Sequence, residues 1–213
     1  MKHHRIAAPS FAFLLLLPAI ARGSEEDSIK DAFNAYKAAI VGGRAAEAAE
    51  FLSASTVRLY RHMSDLALYA DRDELRKQPT TILMEVLNLR LNVPAQDLQQ
   101  MSDHDLVVYA VTNGFVGGKG AEQFKLEILA VNGAAAIGSL GLDAGKPFIT
   151  LQFFKEDGAW RVDWRAAMYG STPLDIIAPG DEAARETLVL ELLPSPGGHR
   201  AGPSIWLPPL QRP

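Results

Sequence analysis

The stretch Phe153-Phe154-Lys155-Glu156-Asp157-Gly158-Ala159-Trp160-Arg161-Val162-Asp163 constrains the fold of this chain more than any other. Aromatic and β-branched residues flank Glu156-Asp157-Gly158, a turn that reverses the chain over a few residues, so residues 148–155 and 160–166 are predicted as an antiparallel hairpin. On its second strand Trp160, Val162 and Trp164 share one face, and Arg161, Asp163 and Arg165 the other. The first set is expected against helices. The charged set is expected in solvent or at a dimer contact.

Upstream, residues 122–131 and a Gly/Ala-rich stretch at 133–145 extend the β-rich half, with Asn132-Gly133 marking a turn. Residues 105–115 are rich in β-branched and aromatic side chains and read as a strand leading into a Gly117-Gly118-Lys119-Gly120 turn. The segment 56–63 alternates apolar and polar residues and also reads as a strand, with Arg58, Tyr60 and His62 on one face. Helices come first. Ser24-Glu25-Glu26-Asp27 has the pattern of a capping box, followed by Ile29, Phe33, Tyr36 and Ile40 at helical spacing and then Gly42-Gly43. A short Ala-rich helix follows at 44–52. Further helical patterns lie after Asp71, from Thr80 to about Leu91 before Pro94, and at 181–193. Helices followed by hairpins give an α+β order with an antiparallel sheet.

The N-terminus bears on destination. Met1-Lys2-His3-His4-Arg5, the apolar run 11–20 and the small residues around Ala19, Ala21 and Gly23 have the three-part pattern of a signal peptide, with cleavage expected after Ala21 or Gly23. The apolar run is about half of the roughly 20 residues a bilayer-spanning helix needs, so no anchoring is expected after cleavage. Losing Lys2 and Arg5 takes the formal charge from −4 to −6, which disfavours nucleic acid as a partner. The chain has no Cys, so disulfides, thiolate zinc sites and thiolate catalysis are excluded. These features point to a periplasmic or secreted domain, 24–168, held by its core alone. A Pro/Gly-rich extension, 169–213, is expected to be largely disordered, although Trp206 could anchor it.

Chemical motifs are few. His62, His104 and His199 do not form a metal-ligand spacing, and neither a metal nor a cofactor is expected. Asp103-His104-Asp105 reads as a solvated turn. Gly117-Gly118-Lys119-Gly120 lacks the Ser/Thr and first Gly of a phosphate loop. Gly138-Ser139-Leu140-Gly141 is one residue short of a nucleophile elbow.

The opening helix, the glycine turn, the second short helix and the closing 153–163 hairpin together resemble the nuclear transport factor 2-like superfamily. That resemblance implies a strongly curved antiparallel sheet wrapped around the N-terminal helices as a cone, with a cavity inside and homodimerisation through the sheet. The leading expectation is a non-catalytic binding domain for a small apolar ligand or a protein partner, with Phe33, Tyr36, Tyr60 and Trp164 lining the ligand site. An isomerase or dehydratase acting on an apolar carbonyl compound is the alternative, with His62 as base and Tyr36 or Tyr109 donating to the oxyanion. It requires His62 and a tyrosine hydroxyl to face one closed cavity. A third reading is an inhibitor or immunity-type protein that uses the open sheet face.

Overall fold

The computed structural model describes residues 18–114, 121–142, 147–170, 181–193 and 201–211, with no account of the side chains of 18–24 and 147–148. The expected leader therefore lies mostly outside the described residues, as does the Gly117–Gly120 turn. Helix α1, Pro18–Val41, runs straight through Ser24, so no capping box forms there. Glu25 instead accepts from Lys155 Nζ and Trp160 Nε1, each at 2.7 Å. These donors hold its carboxyl below the usual range, the Lys155 bond first. Gly43, at φ +68°, ends the helix region in a left-handed conformation that glycine adopts without steric cost.

Five more short to medium helices follow: α2 (Ala45–Ala49), α3 (Ala54–Tyr69), α4 (Arg72–Arg76), α5 (Thr80–Asn92) and α6 (Ala95–Gln100). Then come α7 (Asp103–Thr112), a 3-10 turn at Ala121–Gln123, and strands β1 (Lys125–Asn132), β2 (Ala135–Gly141), β3 (Pro147–Glu156) and β4 (Ala159–Asp163). Helices α8 (Arg165–Met168) and α9 (Glu182–Leu192) and a 3-10 turn at Pro203–Trp206 complete the described chain.

Two expected strands are helices. Residues 56–63 belong to α3, which Ser53 caps by accepting from Thr56 N–H at 3.0 Å. Over sixteen residues Thr56, Leu59, Tyr60, Met63 and Ala67 recur at helical spacing and are all buried. That longer stripe outweighs an eight-residue alternation. Residues 103–112 form α7, whose capping box pairs the Ser102 and Asp105 side chains with each other's backbone N–H. Burial of Leu106, Val107, Ala110 and Val111 on one side overrides the β-propensity of its valines.

The sheet is a four-stranded antiparallel meander in the order β1-β2-β3-β4. Between β3 and β4, Asp157 (φ +50°) and Gly158 (φ +82°) make the two-residue turn with both central φ positive that suits a right-twisted hairpin. Phe51–Ser53 extends the sheet beyond β4 in parallel, with Val162 N–H bonded to Phe51 O (2.8 Å) and Ser53 N–H to Val162 O (2.9 Å). Helix α1 packs on this sheet against β1 and β4. Gly138 on β2 leaves room for side chains of its two neighbouring strands: a Cβ there would come within 2.7 Å of Leu126 and 3.1 Å of Phe153.

Part of the extension expected to be disordered is packed on the helices. Ile205 and Trp206 are buried, the Arg72 guanidinium lies 5.5 Å from the Trp206 ring centroid, and Leu210 N–H bonds Leu68 O at 3.1 Å. Arg90 donates to the α3 carbonyls of Leu66 and Ala67, to that of Ala70 just beyond the helix and to Ile205 O. Burial lowers its pKa to about 10. Helix α9 is clamped alongside by Glu186, which accepts from Arg72 and Arg76.

Candidate functional site

Phe33, Tyr36, Tyr60 and Trp164 converge in the core. Phe33 and Tyr36 stand one turn apart on α1, and both are buried. The Tyr36 and Trp164 rings lie 6.4 Å apart, and Trp164 Nε1–H donates to Tyr36 Oη at 3.0 Å. Phe33 meets Phe153 edge-on at 6.5 Å. Tyr60 is 3 % exposed, and burial comes first among the causes that push its hydroxyl well up, followed by Glu85 and Tyr36.

The other two candidates stand apart. On a helix, residues two apart point about 200° away from each other, so Tyr60 and His62 do not share a face as they would on a strand. Tyr60 turns inward and His62 is exposed. His62 and Tyr60 therefore do not face one closed cavity, the arrangement that the general-base reading requires. Tyr109 is half-buried on α7, with its hydroxyl pKa raised by burial.

Two residues that no sequence motif singles out join the interior cluster. Glu85 Oε2 and Ser64 Oγ are buried without a hydrogen-bond partner, as is Tyr60 Oη. Burial raises the Glu85 carboxyl to about 8. The sequence does carry a signal: Glu85 is a lone carboxylate in Ile82-Leu83-Met84-Glu85-Val86-Leu87. Neutral Glu85 and the Tyr60 and Tyr36 hydroxyls are all hydrogen-bond donors, and a buried hydroxyl without a partner costs about 1–3 kcal/mol. Tyr60→Phe, which removes one such hydroxyl and keeps the ring, is therefore expected to leave stability unchanged or raise it by about 1 kcal/mol in urea titration. A loss above about 1 kcal/mol would mean that the hydroxyl holds a partner inside the fold.

The charged face of the closing strand also differs from expectation. Asp163 is fully buried and accepts from Ser53 Oγ (2.8 Å), Ser55 Oγ (2.6 Å), Arg165 N–H (3.0 Å) and Arg165 Nε (3.1 Å). Trp164 N–H reaches Thr56 Oγ1 at 3.0 Å. Asp163 on this face, expected in solvent or at a dimer contact, is covered by the first turn of α3, where the helix dipole favours its negative charge, while Arg161 and Arg165 remain partly exposed.

Neither described groove opens on the interior cluster. One, of about 340 Å³, is lined mostly by residues 201–209 with Arg90 and Leu91. The other, of about 370 Å³, lies where the end of α2, the first turns of α3 and α7 and the β3–β4 turn meet. Leu52, Val57 and Val107 give it an apolar floor, and charged side chains form its rim. On the sheet, Leu129 at the β1 bulge (59 % exposed) and Ile137 on β2 (42 %) are the exposed large apolar side chains among the described residues, too few to mark an interface by themselves. Among the described residues no group of three or more His, Asp or Glu side chains could hold a metal ion, and no helix is long and apolar enough to cross a membrane.

No family model, curated protein or solved structure matches the chain.

Proposed function

We propose that this chain is an exported, non-catalytic binding domain whose occupant is a segment of another protein. The groove between α7 and the β3–β4 turn carries the reading. It is open, about 370 Å³ in volume, and its apolar floor is supplied by elements that the core and the sheet hold in place. By contrast, Phe33, Tyr36 and Trp164 are spent on one another inside the core, which favours a protein partner over an apolar ligand in the interior. Export rests on the three-part N-terminal pattern. Kinship with the nuclear transport factor 2-like superfamily, and a cone-shaped sheet, are supported by the helix-first order and by α1 lying on an antiparallel sheet that ends in the 153–163 hairpin.

The test is an amide-resolved NMR titration of the mature chain with short unstructured peptides that each carry leucine anchors. The expected result is a contiguous set of shifted amides at Leu52, Val57, Val107 and Asp157, abolished when the floor is filled by Val57→Trp. If no peptide shifts these amides, the reading fails.

A further inference from the structure

We infer that the segment received in this groove is basic: an apolar anchor flanked by lysine or arginine. The inference rests on the groove being a protein-binding site, and it names the partner's chemistry. Six charged or titratable side chains stand on the rim: Glu50, Asp103, His104, Glu156, Asp157 and Arg161. Four are carboxylates. Their existing bonds decide how much of that charge faces an incoming ligand.

Asp103 is neutralised by Arg61 Nε at 2.6 Å. Glu156 accepts from Ala54 N–H at 3.0 and 3.2 Å, so its charge is directed at the N-terminus of α3. Arg161, the only guanidinium on the rim among the described residues, donates to the Glu50 backbone carbonyl and is drawn toward the wall. Glu50 has His104 Nε2 at 3.8 Å, and both side chains are largely in solvent. Asp157 stands at the tip of the hairpin turn, exposed and held in a left-handed backbone conformation.

Glu50 and Asp157 are thus the carboxylates with capacity left over, and they stand on the rim of a groove floored by Leu52, Val57 and Val107. A cationic side chain near either, with an apolar neighbour on the floor, satisfies both parts of the groove. An acidic segment would meet the like charges of Glu50 and Asp157. Partly exposed charges of this kind steer and select more than they bind, and each is expected to change affinity a fewfold.

The experiment compares three twelve-residue peptides that share two leucines and differ only in having lysine, serine or glutamate at the remaining charged positions, titrated into the full mature chain. The lysine peptide should bind at least tenfold tighter than the glutamate peptide at low salt, and the gap should narrow as salt rises. The double substitution Glu50→Lys with Asp157→Lys should reverse the order, and Lys125→Glu on β1 should leave it unchanged. If the serine and glutamate peptides shift the groove amides as strongly as the lysine peptide, the charge assignment is wrong while the docking site stands. If none of the three does, both are wrong.

Discussion

Glu85→Gln is expected to stabilise the protein at pH 8–9, on the order of 4–5 kcal/mol, while changing stability by less than about 1 kcal/mol at pH 5. The side chain is mostly enclosed, and its Oε2 has no partner. Burial disfavours the ionised form and lifts the pKa to about 8, against an ordinary 4.5. Between those values the folded chain holds a proton that the unfolded chain has released, so stability falls as pH rises through this interval and levels off above it. A tenfold change in an acid dissociation constant corresponds to roughly 1.4 kcal/mol. Urea denaturation at pH 5, 7 and 9 measures this directly: the wild-type chain should lose stability across the series, and the glutamine variant should lose much less. Parallel profiles for the two proteins would overturn the assignment. Glu25, Asp105 and Glu186 act in the opposite window, since donors hold their carboxyls below the ordinary value. Their contribution is present at neutral pH and is lost in acid, so the two effects separate cleanly.

Asp163→Ala should be the most damaging single substitution at the sheet–helix junction, costing about 3–5 kcal/mol. It would leave the Ser53 and Ser55 hydroxyls and Arg165 without the carboxylate they share. It would also loosen the first turn of α3 from β4, where Trp164 N–H already depends on Thr56. Asp163→Asn keeps an acceptor and the side-chain volume and should cost clearly less. Thermal and urea unfolding of both variants decide the point. An alanine variant within about 1 kcal/mol of the wild type would show that the buried network contributes little.

The β-hairpins and the first helix are legible in the sequence because their signals are local. Asp157-Gly158 and Asn132-Gly133 specify their turns over a few residues, and Ile29, Phe33 and Tyr36 mark one face of α1. Two helices read as strands for a common reason. Val57, Leu59 and Tyr60 in α3, and Val107, Val108 and Tyr109 in α7, are strand-forming residue types, and only the caps at Ser53 and Ser102 and the wider spacing of the buried set identify them as helical. The difference reaches the site, because a strand puts Tyr60 and His62 on one face and a helix puts them on opposite sides. Phe33, Tyr36, Tyr60 and Trp164, expected from the sequence to line a ligand site, lie in the core, where Phe33, Tyr36 and Trp164 pack on one another. Glu85 carries only the signal of a lone carboxylate in an apolar run, and Asp163 does not stand out as buried, because burial of a carboxylate depends on contacts from distant parts of the chain. Asp163 is enclosed by residues more than a hundred positions away.

Arg90 ties two distant parts of the chain to one guanidinium. Three of its acceptors belong to residues 66–70 and the fourth is the carbonyl of Ile205. Removing that guanidinium would leave carbonyls at the end of α3 and in the C-terminal turn without a donor they share. The helix end and the last described turn are therefore coupled through a single side chain.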